Sequence, residues 1–233
     1  MNEHLAVIIV AAGTGSRMRS DERKQFIRIN GIPLLAMTIS VFDRRMDVAE
    51  IIVVSRPDEI ERVQKEIIMP YDFKKVSCIV PGGEQRKDSV RAGLTAVSKT
   101  AVYIAVHDGA RPFVTSGQLD LLFRRAFETG AAILAAPLTD TIKKADGEGQ
   151  IVRTISRNGL WAAQTPQVFR SDWLQSAYQK LAQHETPTDD AAVLEQAGYP
   201  VIIVPGSWDN FKITMAGDIA RAETILKDRE NQA

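Results

Sequence analysis

Short apolar runs recur along the chain and are separated by amphipathic stretches. The runs are almost continuously apolar, which is typical of strands covered on both faces of a parallel sheet. They cover residues 5–11, 50–55, 76–80, 101–106, 131–137 and 201–205. Between them, apolar residues return at helical spacing, as at Ile60, Val63 and Ile67. Another helix is predicted to begin near Thr115 and Ser116, which are good N-cap residue types. This alternation of strands and helices along the chain predicts an α/β fold, with a mostly parallel sheet and helices on both faces.

One segment does not follow this alternation of strands and helices. Residues 140–156 contain two polar, partly alternating stretches around the sequence DGEG, which is typical of a hairpin turn. The segment has few apolar residues, and an isolated two-stranded hairpin is marginally stable in water. We therefore predict a β-arm over residues 138–158 that packs either on its own domain or on a second subunit.

The bulk composition narrows the class of protein. The chain has 233 residues and is predicted to form one domain over residues 1–233, long enough to bury a sizeable core. Lys and Arg together number 29, as do Asp and Glu, so no basic excess favours nucleic acid or an anionic membrane as a partner. The single cysteine, Cys78, cannot form an internal disulfide. No apolar run approaches the roughly 20 residues that a membrane span needs, and we expect a cytoplasmic protein.

A glycine-rich loop follows the first predicted strand, in the sequence AAGTGSRM. Gly13 and Gly15 allow backbone N–H groups to approach an anion without a Cβ atom in the way. The loop leads into a cluster of cations, Arg17, Arg19, Arg23 and Lys24. Arginine offers phosphate a rigid fork and lysine a mobile point charge, so the cluster predicts a polyphosphate ligand. A solvated basic loop is the alternative.

Two common nucleotide-binding motifs do not fit this loop. A dinucleotide fingerprint needs a small residue where Met18 stands, and an acid after the second strand, which ends at Ser55 and Arg56. A Walker loop needs the string G-x-x-x-x-G-K-[ST], which does not occur in the sequence.

Two further strand ends carry candidate ligand-binding residues. Gly82 and Gly83 follow the third predicted strand and lead to a helix with Ser89 near its start. Asp108 follows the fourth strand, and an acid facing an anion loop suits Mg²⁺, which takes one or two carboxylates together with phosphate oxygens and water. The carboxyl ends of parallel strands share one sheet edge, where doubly wound folds bind ligands. His107 is expected to be a structural residue in the hydrogen-bond network of the strand end.

Polar residues late in the chain are candidates for the same edge. Asp209 and Lys212 follow the last predicted strand. They complete the metal and substrate-phosphate sites in one interpretation and form an ordinary surface salt bridge in the other. Thr188 is a good N-cap type for the helix that follows it. Polar stretches beside apolar neighbours are interpreted as site-lining loops, at residues 156–161, 165–167 and 186–191.

The chain closely resembles the 2-C-methyl-D-erythritol 4-phosphate cytidylyltransferases of the non-mevalonate isoprenoid pathway. The strings that carry the resemblance are, in order, AAGTGSRM, PGGEQRKDSV, VHDGARPF, DTIK, RNGLWAAQTPQ, TDDA and DNFKIT. Each motif is weak alone, and the ordered set is specific. The resemblance implies a Rossmann-like nucleotidyltransferase fold and a homodimer joined by an exchanged β-arm. It also implies a Mg²⁺-dependent transfer of CMP from CTP to 2-C-methyl-D-erythritol 4-phosphate, giving 4-diphosphocytidyl-2-C-methyl-D-erythritol and pyrophosphate.

The resemblance implies roles for individual residues as well. CTP would be held by Ala11, Ala12, Gly13, Gly15, Gly83, Glu84, Ser89, Gly109 and Ala110. The catalytic residues that stabilise the reacting phosphates would be Arg17, Lys24 and Lys212. The substrate would be contacted by Arg111, Thr165, Asp209 and Lys212, and from the arm of a partner subunit by Thr141 and Arg157. Mg²⁺ would be held by Asp108 and Asp209.

Two positions depart from the family's pattern. Many members have proline immediately before the lysine that corresponds to Lys24, whereas this chain has Arg23. The loop at Lys24 therefore lacks the restraint that a proline ring would impose. Glu84 stands where an aspartate is common, which is a mild change.

Three other functions are alternatives to this one. The nearest is a ribitol-5-phosphate or related polyol-phosphate cytidylyltransferase on the same fold, but the strings RNGLW and HDGARP favour the erythritol enzyme. An NAD(P)-binding oxidoreductase is disfavoured, because Met18 stands where the fingerprint needs a small residue and no acidic residue follows the second strand. A non-catalytic nucleotide-binding module would not need Arg17, Lys24 and Asp108 together.

Overall fold

A computed structural model describes residues 4–13 and 22–231 of the chain. Its strands are β1 Leu5–Val10, β2 Arg28–Ile29, β3 Ile32–Pro33, β4 Val48–Ser55, β5 Val76–Pro81, β6 Tyr103–Asp108, β7 Ala131–Pro137, β8 Ile142–Ala145, β9 Ile151–Ile155, β10 Trp161–Arg170 and β11 Ile202–Pro205. The α-helices are α1 Leu34–Asp43, α2 Ile60–Val63, α3 Met69–Tyr71, α4 Arg86–Ala96, α5 Ser116–Thr129, α6 Ser171–Lys180, α7 Asp190–Gln196 and α8 Gly217–Glu230. The 3₁₀ and π-helical turns are Lys24–Phe26, Pro57–Glu59 and Gln64–Ile68.

In the described part of the chain, seven strands form the central sheet, in the order β11-β7-β10-β6-β1-β4-β5. Every neighbouring pair is parallel except the two pairs that involve β10, which runs antiparallel to both β6 and β7. The prediction of a mostly parallel sheet is therefore confirmed. β1 lies between β6 and β4, so the loops that leave the carboxyl ends of these strands meet at one edge.

The strand β10 corrects one prediction, because residues 165–167 were interpreted as a loop; of the other predicted loop, 156–161, residues 156–160 are loop and turn and only Trp161 belongs to the strand. Residues 161–170 instead form a long strand, and residues 164–169 within it are buried. Its polar side chains are hydrogen-bonded rather than solvated: Gln164 donates to the backbone oxygen of Ser207 at 2.9 Å. Buried polar groups that find such partners are compatible with a strand at the centre of a sheet.

Helices cover both faces of the sheet, as predicted. Along β1, Leu5, Val7 and Ile9 point to one face and pack with the apolar side chains of α1 and α5. Ala6 and Ile8 point to the other face and pack with residues of α4, α6 and α7. This alternation follows from the two-residue period of a strand, and it explains why the runs are apolar at nearly every position.

Two helix starts test the capping predictions. Thr115 caps α5, because its side chain accepts a hydrogen bond from the backbone N–H of Gln118, as expected. Thr188 does not cap the helix that follows it. The N-cap of α7 is Asp189, whose carboxylate accepts from the backbone N–H of Ala192. Both residue types are good caps, and the sequence pattern did not resolve a difference of one position.

The predicted arm is a hairpin of β8 and β9 that pair antiparallel with each other and with no strand of the central sheet. No residue from 138 to 158 is buried. Ile151 and Val152 are each 59% exposed. The hairpin thus leaves its apolar side chains open to solvent in the single chain. None of the described helices is long and apolar enough to span a membrane.

Candidate functional site

A pocket, called here the first pocket, lies where β1, β5 and β6 end. It is formed by the loop after β1, the segment before and within the start of α4, the loop after β6 and residues from two other segments. Its lining residues are Val10, Ala11, Ala12, Gly13, Lys24, Gln25, Gly83, Glu84, Gln85, Arg86, Ser89, Asp108, Gly109, Ala110 and Lys212. The prediction that separate strand ends converge on one edge is confirmed by this lining.

Most residues that sequence reasoning assigned to CTP lie in this lining. They are Ala11, Ala12, Gly13, Gly83, Glu84, Ser89, Gly109 and Ala110. Lys24, Asp108 and Lys212 lie there too. Gly15 and Arg17 lie outside the described residues, so their placement stays a prediction.

Gly82 shows why glycine is needed beside this pocket. A Cβ atom on Gly82 would lie 2.5 Å from the Cβ atom of Ala12 and 2.8 Å from the hydroxyl of Ser89. Any side chain would therefore push apart the loop after β1 and the start of α4. Since Ala12 and Ser89 both line the first pocket, the absence of a side chain at Gly82 sets its width.

A second pocket adjoins the first and shares Arg86, Asp108 and Lys212 with it. Its other lining residues are Arg111, Ala163, Gln164, Thr165, Gln167, Thr188 and Asp189. Several come from β10 where its register shifts between Ala163 and Gln167 and the peptide bond before Pro166 is cis. Asp108 therefore stands at the junction of two pockets.

Three cations converge on the Asp108 carboxylate, which is 10% exposed. The Lys212 ammonium lies 2.9 Å from it, Arg111 Nε 3.3 Å and Arg86 Nε 3.7 Å. Burial alone would raise the pKa of Asp108, but the charges of Lys212, Arg86 and Arg111 hold this pKa well below its usual range. The carboxylate is ionised at neutral pH. The three residues that both pockets share are two cations, Arg86 and Lys212, and one carboxylate, Asp108.

Arg86 is held by a buried carboxylate on α7. Its guanidinium donates to Asp190 at 2.6 Å, and Asp190 also accepts from the Tyr178 hydroxyl at 2.6 Å. Gln167 of β10 accepts from the backbone N–H groups of Asp190 and Ala191 at 3.1 and 3.0 Å. These hydrogen bonds link Gln167 of the sheet through Asp190 to Arg86 and hold the guanidinium in place. Because the side chain is already ordered, it loses little conformational entropy when an anion binds.

Arg111 is held from the other side by the segment after β11, which also carries Lys212. The backbone oxygen of Asn210 accepts from Arg111 at 2.8 Å. The Asn210 amide donates to the side chain of Gln164 at 3.2 Å and to the backbone oxygen of Thr165 at 3.0 Å. The Thr165 hydroxyl in turn accepts from the backbone N–H of Asp108 at 3.0 Å. Both pockets are thus preorganised by buried hydrogen bonds.

His107 has the structural role expected of it. It is 0% exposed, and its Nε2 atom lies 2.9 Å from the backbone oxygen of Arg111. Burial lowers the pKa of His107 to about 4, so the ring is neutral at physiological pH. A fully buried neutral ring does not touch a ligand in either pocket.

Three predicted substrate contacts lie away from both pockets. Thr141 and Arg157 belong to the arm, where Arg157 donates to the backbone oxygen of Thr139. Asp209 is 61% exposed and lies 3.9 Å from Arg221. The structure brings Arg111, Thr165 and Lys212 together but not these three, whose roles stay predictions.

The described residues offer few ligands for a metal ion. They contain no group of three or more His, Cys, Asp or Glu side chains that would hold one. Of the residues that the structure describes, two carboxylates line the first pocket, those of Asp108 and Glu84. Such a donor set fits Mg²⁺ only if phosphate oxygens of a ligand and water complete the coordination.

Sequence reasoning missed several residues of the two pockets. Arg86 stands inside the string PGGEQRKDSV but received no role, because nothing in the sequence shows that Asp190, over a hundred positions later, holds it. Arg86 lies two positions after Glu84, which was assigned to the CTP site, and this closeness in sequence is the signal that could have identified it. Gln164 received no role because its place in a buried strand shows only once β10 is seen. The missed lining residues include Gln25, Gln85, Arg86 and Gln164, whereas Gln167, Thr188 and Asp189 lie in stretches that were predicted to line the site.

The amino-acid sequence is similar to those of proteins in one enzyme family. A model of the 2-C-methyl-D-erythritol 4-phosphate cytidylyltransferase family matches residues 5–228. A protein of that name from Alkaliphilus oremlandii is 44% identical over 225 residues, covering 96% of this chain and 95% of that protein. Another, from Halalkalibacterium halodurans, is 42% identical over 228 residues, covering 97% and 99%.

Solved structures agree with the sequence matches. The crystal structure of 4-diphosphocytidyl-2C-methyl-D-erythritol synthase from Anaerococcus prevotii is similar with a TM-score of 0.84 at 29% identity, covering 97% of this chain and 100% of that chain. That of 2-C-methyl-D-erythritol 4-phosphate cytidylyltransferase from Thermus thermophilus is similar with a TM-score of 0.78 at 30% identity, covering 96% and 99%.

Proposed function

The chain belongs to the 2-C-methyl-D-erythritol 4-phosphate cytidylyltransferase family, and from this membership we propose how its two pockets divide the reaction. The enzyme transfers the CMP part of CTP to 2-C-methyl-D-erythritol 4-phosphate and releases pyrophosphate. In our proposal CTP occupies the first pocket, and the polyol phosphate occupies the second. The observation that carries this division is the set of three charged residues, Arg86, Asp108 and Lys212, that both pockets share.

The shared charges suit a reaction between two phosphates. An oxygen of the polyol phosphate attacks the α-phosphorus of CTP, a new P–O bond forms, and the bond to the β-phosphate breaks as pyrophosphate leaves. The two anions repel each other until positive charge lies between them. Lys212 and Arg86 supply that charge at the junction. Positioning and charge stabilisation carry this chemistry, and no nucleophilic side chain is required.

Magnesium fits this proposal with Asp108 as its protein ligand. When bound, Mg²⁺ would neutralise phosphate charge and orient the phosphate oxygens. The part of Asp108 itself is to keep an ionised carboxylate at the junction, where its lowered pKa prevents protonation at neutral pH. Asp209 as a second ligand remains a prediction from the resemblance.

Lys24 supplies a further cation to the first pocket. We assign it, with Arg17, to the charge that develops on the triphosphate. Replacing Lys24 by Ala is expected to lower kcat by roughly 10²-fold or more, as for other preorganised charge stabilisers. Turnover near that of the unaltered enzyme would remove Lys24 from the catalytic group.

A pair of matched substitutions tests the division between the pockets. Thr165 lines only the second pocket, so Thr165→Val should raise KM for the polyol phosphate about tenfold, because the substrate phosphate loses a hydrogen bond and the backbone N–H of Asp108 loses its acceptor. The dissociation constant for CTP should stay within twofold. Thr165→Ser keeps the hydroxyl and serves as the control. A variant that weakens CTP binding and leaves the polyol phosphate unaffected would show that the pockets are assigned the wrong way round.

For the arm we propose a homodimer in which Arg157 and Thr141 serve the site of the neighbouring subunit. The exposed apolar residues Ile151 and Val152, 59% exposed each, support a partner that covers the arm. Mixed dimers of an Arg157→Ala chain and a Lys24→Ala chain should then regain part of the activity that each variant loses alone. Failure to complement, with dimers present by light scattering, would make the arm a feature of its own subunit.

A further inference from the structure

The segment that presents Lys24 has little regular structure of its own. Lys24 begins a single 3₁₀ turn that ends at Phe26. The segment is nevertheless fastened on both sides of the lysine by one carboxylate. One oxygen of Glu59 lies 3.2 Å from Nε of Arg23, and the other accepts a hydrogen bond from the Gln25 amide. The residues before and after Lys24 are thus held by the same side chain.

A second residue of the same helical region holds the outer ends of the segment. Arg62 of α2 donates two hydrogen bonds to Glu22, at 2.8 and 2.9 Å. Its guanidinium also lies over the Phe26 ring, 3.8 Å from the ring centre. Residues 22, 23, 25 and 26 therefore all contact Glu59 or Arg62. We call these two residues the clamp.

The burial of Glu59 makes the contact unusual. Glu59 is 6% exposed and Gln25 is 4% exposed. A carboxylate so deeply buried is costly unless it is paired, and replacing such a group by an apolar residue often stabilises a protein. Burial raises the pKa of Glu59, and Arg23 acts against that rise. Stability alone is therefore a weak reason for an acid at this position.

We propose that Glu59 is a positioning residue that fixes the backbone on both sides of Lys24, so that the lysine reaches the first pocket. The inference rests on the proposed role of Lys24 in the reaction. Arg23, which directly precedes Lys24, is restrained by the ion pair to Glu59.

The backbone of Arg23 has a conformation that a proline would also adopt. Its φ and ψ angles are −66° and 137°. Proline imposes a φ of about −65°, so the ion pair holds Arg23 in a conformation that proline would adopt. The N–H of Arg23 donates to the side chain of its neighbour Glu22 at 2.9 Å, which is the bond that proline would remove.

The test compares kcat in a series of variants of the full chain, with melting temperatures recorded for each. Glu59→Ala is expected to lower kcat roughly ten- to hundredfold, because small misplacements of a catalytic group are costly. Glu61→Ala is the matched control: Glu61 is 81% exposed and pairs with Lys65. Its kcat should stay within twofold of the unaltered enzyme.

Two double variants separate positioning from simple stability. Glu59→Ala combined with Lys24→Ala should be no slower than Lys24→Ala alone, because Glu59 acts through the lysine. Glu59→Ala combined with Arg23→Pro should regain several-fold in kcat, whereas a structural role predicts no regain. Arg23→Pro alone measures the combined loss of the Glu22 bond and of the ion pair to Glu59. If Glu59→Ala does not fold, Arg23→Ala serves in its place, with an expected fall of roughly threefold or more.

The possible failures can be told apart. A slow Lys24→Ala enzyme beside a Glu59→Ala enzyme of normal kcat would overturn the positioning role and leave the proposed function standing. Multiplying losses in the Glu59→Ala, Lys24→Ala double variant would also overturn it. A Lys24→Ala enzyme of normal kcat would instead overturn the proposed role of Lys24.

Discussion

Asp108→Asn removes the negative charge on which three cations converge and leaves the size of the side chain unchanged. Lys212, Arg111 and Arg86 lie 2.9, 3.3 and 3.7 Å from the carboxylate. Breaking a buried ion pair by removing one partner costs roughly 3–5 kcal/mol. Arg86 keeps Asp190 and Arg111 keeps the backbone oxygen of Asn210. We therefore expect the lower end, a loss of about 3 kcal/mol in the free energy of unfolding.

This loss has a definite dependence on pH. The folded-state pKa of Asp108 lies below its ordinary value of 3.8. The stabilisation is therefore present in full above that pH and is lost as the pH falls through the folded-state pKa. At pH 7 the melting temperature should fall by roughly 6–12 °C for a chain of this size. Asp172→Asn is the control, because its pair with Arg170 is exposed and such pairs contribute little.

The same substitution should strengthen the binding of CTP when no divalent cation is present. A unit charge about 8 Å from a phosphate contributes about 1 kcal/mol at an effective dielectric constant near 40, or roughly fivefold in Kd. With Mg²⁺ present, turnover should fall by roughly 10²-fold or more. Thermal unfolding, calorimetric titration with CTP in EDTA, and turnover as a function of Mg²⁺ concentration measure the three effects.

The outcomes that refute this reasoning are distinct. An unchanged melting temperature would show that the cations do not depend on Asp108. Weaker CTP binding without metal would show that the bound phosphates do not lie near the carboxylate. An unchanged response of turnover to Mg²⁺ would remove Asp108 as a ligand of the metal.

Other perturbations test the surroundings of the site. Burial lowers the pKa of His107 from 6.5 to about 4, so between these pH values only the unfolded state binds a proton. The free energy of unfolding, measured with urea, should therefore fall by about 2 kcal/mol from pH 7 to pH 5. His107→Asn should abolish that fall. Asp218 accepts from the backbone N–H groups of Thr214 and Met215 at the start of α8, so Asp218→Ala should lower the unfolding free energy by about 1 kcal/mol while Glu223→Ala on the same helix does not. Gly82→Ala should cost about 1–3 kcal/mol and weaken CTP binding, because its Cβ would lie 2.5 Å from that of Ala12; unchanged CTP affinity would contradict the role of Gly82 in the width of the pocket.

The sequence predicted the parts of the fold that local pattern determines. Strands such as β1 and β7 were visible because both of their faces are buried, which makes nearly every position apolar. The glycine-rich strand ends were visible because a turn beside a ligand restricts the residue type. Their meeting at one edge followed from the parallel direction of the strands.

The parts that depend on distant partners were not predictable. β10 was missed because Gln164 and Gln167 are polar, and only the folded chain shows that both are buried with hydrogen-bond partners. Arg86 gained its place in both pockets from Asp190 on α7. The clamp beside Lys24 joins residues 34 or more positions apart, and no spacing rule in the sequence links them.

The most direct test of the central claim is a pyrophosphate-release assay with the purified chain, CTP and Mg²⁺. In separate reactions it receives 2-C-methyl-D-erythritol 4-phosphate and ribitol 5-phosphate. We expect one pyrophosphate for each 2-C-methyl-D-erythritol 4-phosphate consumed, and much slower release with ribitol 5-phosphate. Faster release with ribitol 5-phosphate, or none with either polyol, would contradict the account.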